Sequence, residues 1–220
     1  MQTSTEAEEH LRVIRSLMER ATIYRAISAP SALVGGVLAI VTALGAMEIP
    51  GGLVGVPATR INFAGVWLVV LFFSAVANLY FLRRDGDRRD TAFVSPGMRL
   101  AIAALLPSFL ASAVFTTLWG ILGRGDVMLA CLWLIFYGLG LLATAHFAPR
   151  SMCLLGWAFL VAGLALFIAV SNRSSEFFDY FVSWKTANTI MAVTFGGFHL
   201  IYAACTWPRR ARSAEAAATP

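Results

Sequence analysis

Six apolar runs, each about as long as a bilayer is thick and none containing an Asp or Glu, dominate this sequence: 31–47, 62–82, 98–122, 127–147, 151–170 and 187–207. A helix of roughly 20 apolar residues crosses a hydrocarbon core. In that medium only a helix or a closed barrel satisfies its own backbone hydrogen bonds. Runs of this length are far too long for barrel strands, so the expected fold is an all-α integral membrane protein, a bundle of six transmembrane helices. Composition agrees: 59% of the 220 residues are hydrophobic and 13% are charged, against about 25% charged in an ordinary soluble domain.

The chain divides into three parts on this reading. Residues 1–29 form an arm, 30–208 the six-span bundle, and 209–220 a basic tail. Within the arm, residues 3–27 read as an amphipathic helix. Thr3 with Glu6 and Thr5 with Glu8 have capping-box spacing, and Leu11, Ile14, Leu17, Met18, Ala21 and Tyr24 recur along one side. Such a helix lies on an anionic leaflet, docks a partner protein, or packs under its own bundle. Ala29-Pro30 should end or kink it. The start of the chain is rich in both acids and bases, unlike a secretory signal, so the first run is expected to remain in the mature protein.

Several features punctuate the bundle. Gly35, Ala39 and Ala43 recur every four residues in the first run, a spacing that lets two helix backbones approach. The glycine- and proline-rich stretch 49–61 reads as a loop, and Asp85-Gly86 as a turn inside the charged stretch Arg83 to Asp90. Pro107 should kink the third run and leave a carbonyl near position 103 without its usual donor. Ala148-Pro149-Arg150 makes the fourth and fifth runs an antiparallel hairpin. The stretch 171–185, with Phe177, Phe178, Tyr180, Phe181 and Trp184, belongs along lipid headgroups, and Tyr80, Trp119, Trp184 and Trp207 form an aromatic belt at span ends.

Charge sets an orientation. Of the seventeen basic residues, thirteen fall on the side of the termini (Arg12, Arg15, Arg20, Arg25, Arg83, Arg84, Arg88, Arg89, Arg99, Arg150, Arg209, Arg210, Arg212) and four on the other (Arg60, Arg124, Arg173, Lys185). The positive-inside rule then places the chain in the plasma (inner) membrane with both termini in the cytoplasm. The basic residues sit at the ends of apolar runs, so the bilayer, not nucleic acid, is their partner. The runs 1–3 and 4–6 would enter from opposite sides, as inverted repeats do in transporters, although the two halves share no convincing sequence similarity.

The chemistry available inside the runs is sparse. Cys131, Cys153 and Cys205 form no CxxC pair and read as small apolar residues. There is no GxSxG, HExxH, P-loop or GxGxxG, and no paired carboxylates, so no catalytic residue is assigned and an enzyme is the third choice. Ser and Thr such as Thr42, Ser74, Thr116, Thr117, Thr144 and Thr194 can satisfy their hydroxyls on their own backbones.

His199 is the one ionisable side chain well inside an apolar run, and on a regular helix it shares a face with Asn188, Ala192, Gly196 and Ala203, with Tyr202 at the border. It is either a proton-titrating or ligand-binding group, or a neutral ring bonded to a neighbouring helix that Gly196 lets come close. His146 is expected in the same half of the membrane. A His146–His199 pair could ligate haem or a metal, but the spacing matches no ligand pattern, and no cofactor is assigned. Two functions remain. One is a non-enzymatic accessory or regulatory membrane module, binding a protein partner through the N-terminal helix or a second copy of the chain. The other is a small, proton-linked transporter with its site at His199, Tyr202, Asn188 and His146.

The orientation is testable directly. Reporter tags at either terminus should score as cytoplasmic and a tag at Ser174 as external; a cytoplasmic score at Ser174 contradicts the span count or the orientation.

Overall fold

The computed structural model describes residues 10, 12, 28–48, 60–87, 96–122, 125–171 and 184–207. Among these the chain is helical and contains no strand. The helices are α1 (Ala29–Glu48), α2 (Arg60–Asp87), α3 (Pro96–Leu122), α4 (Asp126–Ala143), α5 (Arg150–Ser171), α6 (Trp184–Met191), a π-helical segment (Ala192–Phe198) and α7 (His199–Thr206). The last three are continuous and make one long helix, here called the sixth. Six helices among the described residues are long and apolar enough to cross a membrane. Of residues 1–27, only His10 and Arg12 are described; both are helical and exposed. Of the stretches expected at 49–61 and 171–185, Arg60 and Ile61 begin α2, Ser171 ends α5, and Trp184 and Lys185 begin α6; their remaining residues and the tail 209–220 lie outside the described residues.

The helix ends depart from the sequence reading at several points, while α3 keeps its expected end at Leu122. Helix α1 begins at Ala29, with Pro30 in its first turn, where proline's missing donor costs nothing. Helix α2 does not stop at Asp85-Gly86 but runs on to Asp87. The fourth helix ends early, at Ala143 rather than 147. There Thr144 turns back, its backbone N–H reaching Leu141 O at 3.1 Å and its hydroxyl donating to the same carbonyl at 2.7 Å, and residues 144–147 form a turn. Helix α3 continues through Pro107 to Leu122.

The α4–α5 hairpin is the most closely packed pair, and glycine is the reason. An added Cβ on Gly138 would lie 2.6 Å from Leu160 N and 2.8 Å from Gly156 O. One on Gly163 would lie 2.9 Å from Ile135 N. The two backbones therefore touch along much of their length, an approach open only to residues without side chains. Helix α3 packs on the other side of α4, with Gly140 against Leu105 and Ser108.

The sixth helix is the hub. It packs against α1 along most of its length, against α4 near its start and against α5 farther on. The crossing with α1 uses Gly36 and Gly196: a Cβ on Gly36 would sit 3.0 Å from Gly196 O, and one on Gly196 would sit 2.5 Å from Ile40 Cγ1. The close-approach stripe expected at Gly35, Ala39 and Ala43 is thus shifted. Ala32, Gly36, Ala39 and Ala43 are buried, whereas Gly35 turns towards Ser74 of α2.

Helices α2 and α3 are peripheral. They bury little of their length, touch each other sparsely, and expose large side chains such as Phe72, Phe73, Leu110 and Val114. Trp119 does not behave as a belt residue. It packs beside the buried cluster of Phe63, Trp67, Val127 and Cys131, and its indole N–H is buried without a hydrogen-bond partner. Tyr80 and Trp207 are exposed, as residues of an interfacial belt would be.

Two glycine substitutions separate packing from helix propensity. Alanine is the better helix former by about 1 kcal/mol. Gly138→Ala should nevertheless destabilise by about 1–3 kcal/mol, because its methyl meets backbone. Gly45→Ala, where an added Cβ meets nothing within 4 Å, should be neutral or stabilising in reversible unfolding from mixed micelles.

Candidate functional site

His199 occupies the first position after the π segment. An α-helix bonds each N–H to the carbonyl four residues back. A π turn reaches five back and so takes up an extra residue. At the boundary the backbone N–H of His199 goes to Gly196 O, and its ring takes a neighbouring carbonyl, with Nδ1 lying 2.7 Å from Phe195 O. A carbonyl oxygen only accepts, so Nδ1 carries the proton and donates. In the neutral ring Nε2 is then an acceptor. The Tyr137 hydroxyl of α4 lies 2.9 Å from it and donates. Both ring nitrogens are satisfied, one within the sixth helix and one across to α4.

Aromatic rings enclose this pair. Phe159 of α5 is completely buried. It meets Tyr137 edge-on at 4.8 Å between centroids, Phe195 at 4.9 Å, Phe198 at 5.2 Å and His199 at 5.5 Å. Phe195 stacks nearly parallel to the imidazole, at 12° and 6.1 Å. Edge-to-face and offset contacts at these distances are attractive, and they hold the imidazole in one orientation.

The other expected residues are scattered along the sixth helix. Asn188 is buried, and its Oδ1 accepts the indole N–H of Trp67 of α2 at 2.9 Å. Tyr202 is buried and hydrogen-bonds the side chain of Ser151 at the start of α5. Asn188, His199 and Tyr202 therefore bond three different helices, α2, α4 and α5; Tyr202 shares the buried cluster of Phe159 and Tyr137 that surrounds His199, whereas Asn188 belongs to the separate contact with Trp67. Gly196 faces α1, not the neighbour of His199. His146 is exposed on the turn after α4. With both nitrogens of His199 engaged by Tyr137 and Phe195, a His146–His199 ligand pair would first have to break those bonds. Among the described residues no three of His, Cys, Asp and Glu come together as a metal site would require.

Tyr137 and Trp67 are the partners that reading the sequence for groups titrating near neutral pH passes over. The signal was available for Tyr137: a hydroxyl in the middle of an apolar run must find a bond inside the protein. A further bond of the same kind ties α4 to α3, where Trp133 Nε1 donates to Thr116 Oγ1 at 2.9 Å. As expected, the hydroxyls of Thr116, Thr117, Thr144 and Thr194 donate to their own helix backbones, at 2.7, 3.0, 2.7 and 2.6 Å. Comparison with protein-family models, curated proteins and solved structures gives no match.

A double-mutant cycle measures the central bond. Tyr137→Phe and His199→Leu should each destabilise. Together they should cost less than the sum of the two, with a coupling near the average of about 0.6 kcal/mol for bonds between membrane helices. Strict additivity in unfolding from bicelles would mean that the Tyr137–His199 bond contributes nothing.

Proposed function

We propose that this chain is a six-span protein of the plasma (inner) membrane with both termini in the cytoplasm, and that it serves as a non-enzymatic accessory or regulatory module. The observation that carries this reading is the disposition of the polar side chains in the bundle. Trp67–Asn188, Thr116–Trp133, Tyr137–His199 and Ser151–Tyr202 are pairs between helices. Each joins two helices where a catalytic or transport site would gather several groups about one point. The sequence supports the same reading, since the spans hold no carboxylate to serve as an acid or base. Binding of a partner then falls to surfaces outside the core, with the amphipathic N-terminal arm, which carries four Arg and four Glu, as the foremost candidate and a second copy of the chain as the alternative.

A second reading, a small proton-linked transporter, has one observation in its favour. The single mid-bundle histidine stands at the end of a π segment, and such irregularities recur at functional sites.

Reconstitution distinguishes the two. The purified protein in liposomes loaded with a pH-sensitive dye, under an imposed pH gradient and membrane potential, should move protons no faster than protein-free liposomes. A proton flux that His199→Gln abolishes would replace the first reading with the second. Glutamine keeps a donor and an acceptor but cannot titrate.

A further inference from the structure

The sixth helix is held at fixed points on either side of its π segment. On one side the Trp67 indole is bonded to Asn188 at 2.9 Å. On the other, Tyr137 is bonded to His199 at 2.9 Å and Ser151 to Tyr202. Between Asn188 and His199 the helix contains the extra residue that a π turn absorbs. That residue cannot leave without breaking a bond at one end, but its position between the fixed points is not set by backbone strain. The residues bounding the segment, Met191 (φ −63°, ψ −41°) and His199 (φ −69°, ψ −36°), have ordinary right-handed helical dihedrals. A boundary of this kind can advance by one residue without entering a forbidden conformation.

The surroundings of the two glycines differ. Gly196 is wedged against Ile40 and Gly36 of α1, whereas a side chain at Gly197 would meet nothing within 4 Å. The helix thus has one anchored side and one open side at the π turn. What fixes the boundary at His199 is a chain of three groups: the Tyr137 hydroxyl, the imidazole, and the Phe195 carbonyl at 2.7 Å from Nδ1.

We propose that the sixth helix is a two-register element, in which the Tyr137–His199–Phe195 chain latches the π turn at 192–198. When the latch opens, the extra residue moves on into α7. Each residue it passes turns by roughly 100°, the angle between successive residues of a helix. His199 then swings off Tyr137 while Asn188 keeps its bond to Trp67. The device stands apart from the function proposed above, because it rests only on the bonds the sixth helix makes with α2, α4 and α5 and within itself.

Backbone hydrogen exchange in nanodiscs tests this on the intact protein. Opening the latch with Tyr137→Phe should accelerate exchange at residues 195–203 at least tenfold, with 186–191 and the α4–α5 pair changed less than twofold. No acceleration, or equal acceleration in every helix, overturns the proposal, since the latter is general loosening. A second variant removes the extra residue. With Gly197 deleted, an unbroken α-helix can join the same fixed points. The deleted chain should fold, with a thermal midpoint no lower than that of the wild type. Adding Tyr137→Phe to it should then change exchange at 195–203 less than twofold. If the deleted chain does not fold or melts lower, packing requires the extra residue, and the proposal is wrong.

Discussion

In hydrocarbon there is no water to complete a hydrogen bond, so any polar atom between helices must find its partner within the chain. The arrangement of the core follows from that constraint. An imidazole, two indoles, a carboxamide and two phenols are each bonded to a group on another helix; among the described residues the Trp119 indole N–H is the exception, buried without a partner. Dispersion and apolar contact are nearly indifferent to which helices meet, because lipid tails resemble leucine. The polar pairs are not indifferent. Trp67 with Asn188 sets α2 beside the start of the sixth helix. Tyr137 with His199 sets α4 beside its middle, and Ser151 with Tyr202 sets α5 beside its far end.

Glycine decides how near those helices come. Gly138 and Gly163 let α4 and α5 touch backbone to backbone, Gly156 leaves room for the Leu141 and Leu142 side chains, and Gly36 with Gly196 brings α1 and the sixth helix as close. Contacts at that distance gather dispersion attraction from many atoms at once. Helices α2 and α3 lack such a seam over most of their length and stay at the periphery, where their large apolar side chains are exposed. The hierarchy of packing is thus a hierarchy of small residues placed against a neighbour, not of hydrophobicity, which is high in all six.

Much of the architecture was legible in the sequence, because the length and apolarity of each run reflect one dominant requirement. The number of long apolar helices and the back-bonded threonines follow from it, and the short turn at Ala148-Pro149-Arg150 marks α4 and α5 as neighbours, though not the glycine seam that brings them so close. Local signals fared worse. Asp85-Gly86 reads as a turn, yet α2 absorbs it. The run to Phe147 reads as helix, yet Thr144 caps the fourth helix early by bonding to Leu141. The four-residue stripe was recognisable, but whether Gly35 or Gly36 meets the partner depends on how α1 is rotated, which only its neighbours determine. At the site, His199, Asn188 and Tyr202 were identifiable as polar groups in an apolar run. That they face three helices was not, since an ideal helical wheel places His199 and Asn188 together.

The π segment accounts for that last failure. On a regular helix Asn188, Gly196 and His199 share a face, and one neighbouring helix would have to meet all three. The structure gives Asn188 to α2, Gly196 to α1 and His199 to α4. An extra residue between the first and the last changes their relative phase, so the first half of the helix and the second can satisfy different neighbours. The adjacent glycines Gly196 and Gly197 fall within it; one fits the wedge against α1, and the other lowers the intrinsic preference for a regular turn. The irregularity and the histidine therefore belong together. The wider turn permits the ring to face α4, and the ring's bond back to Phe195 fixes where the wider turn ends.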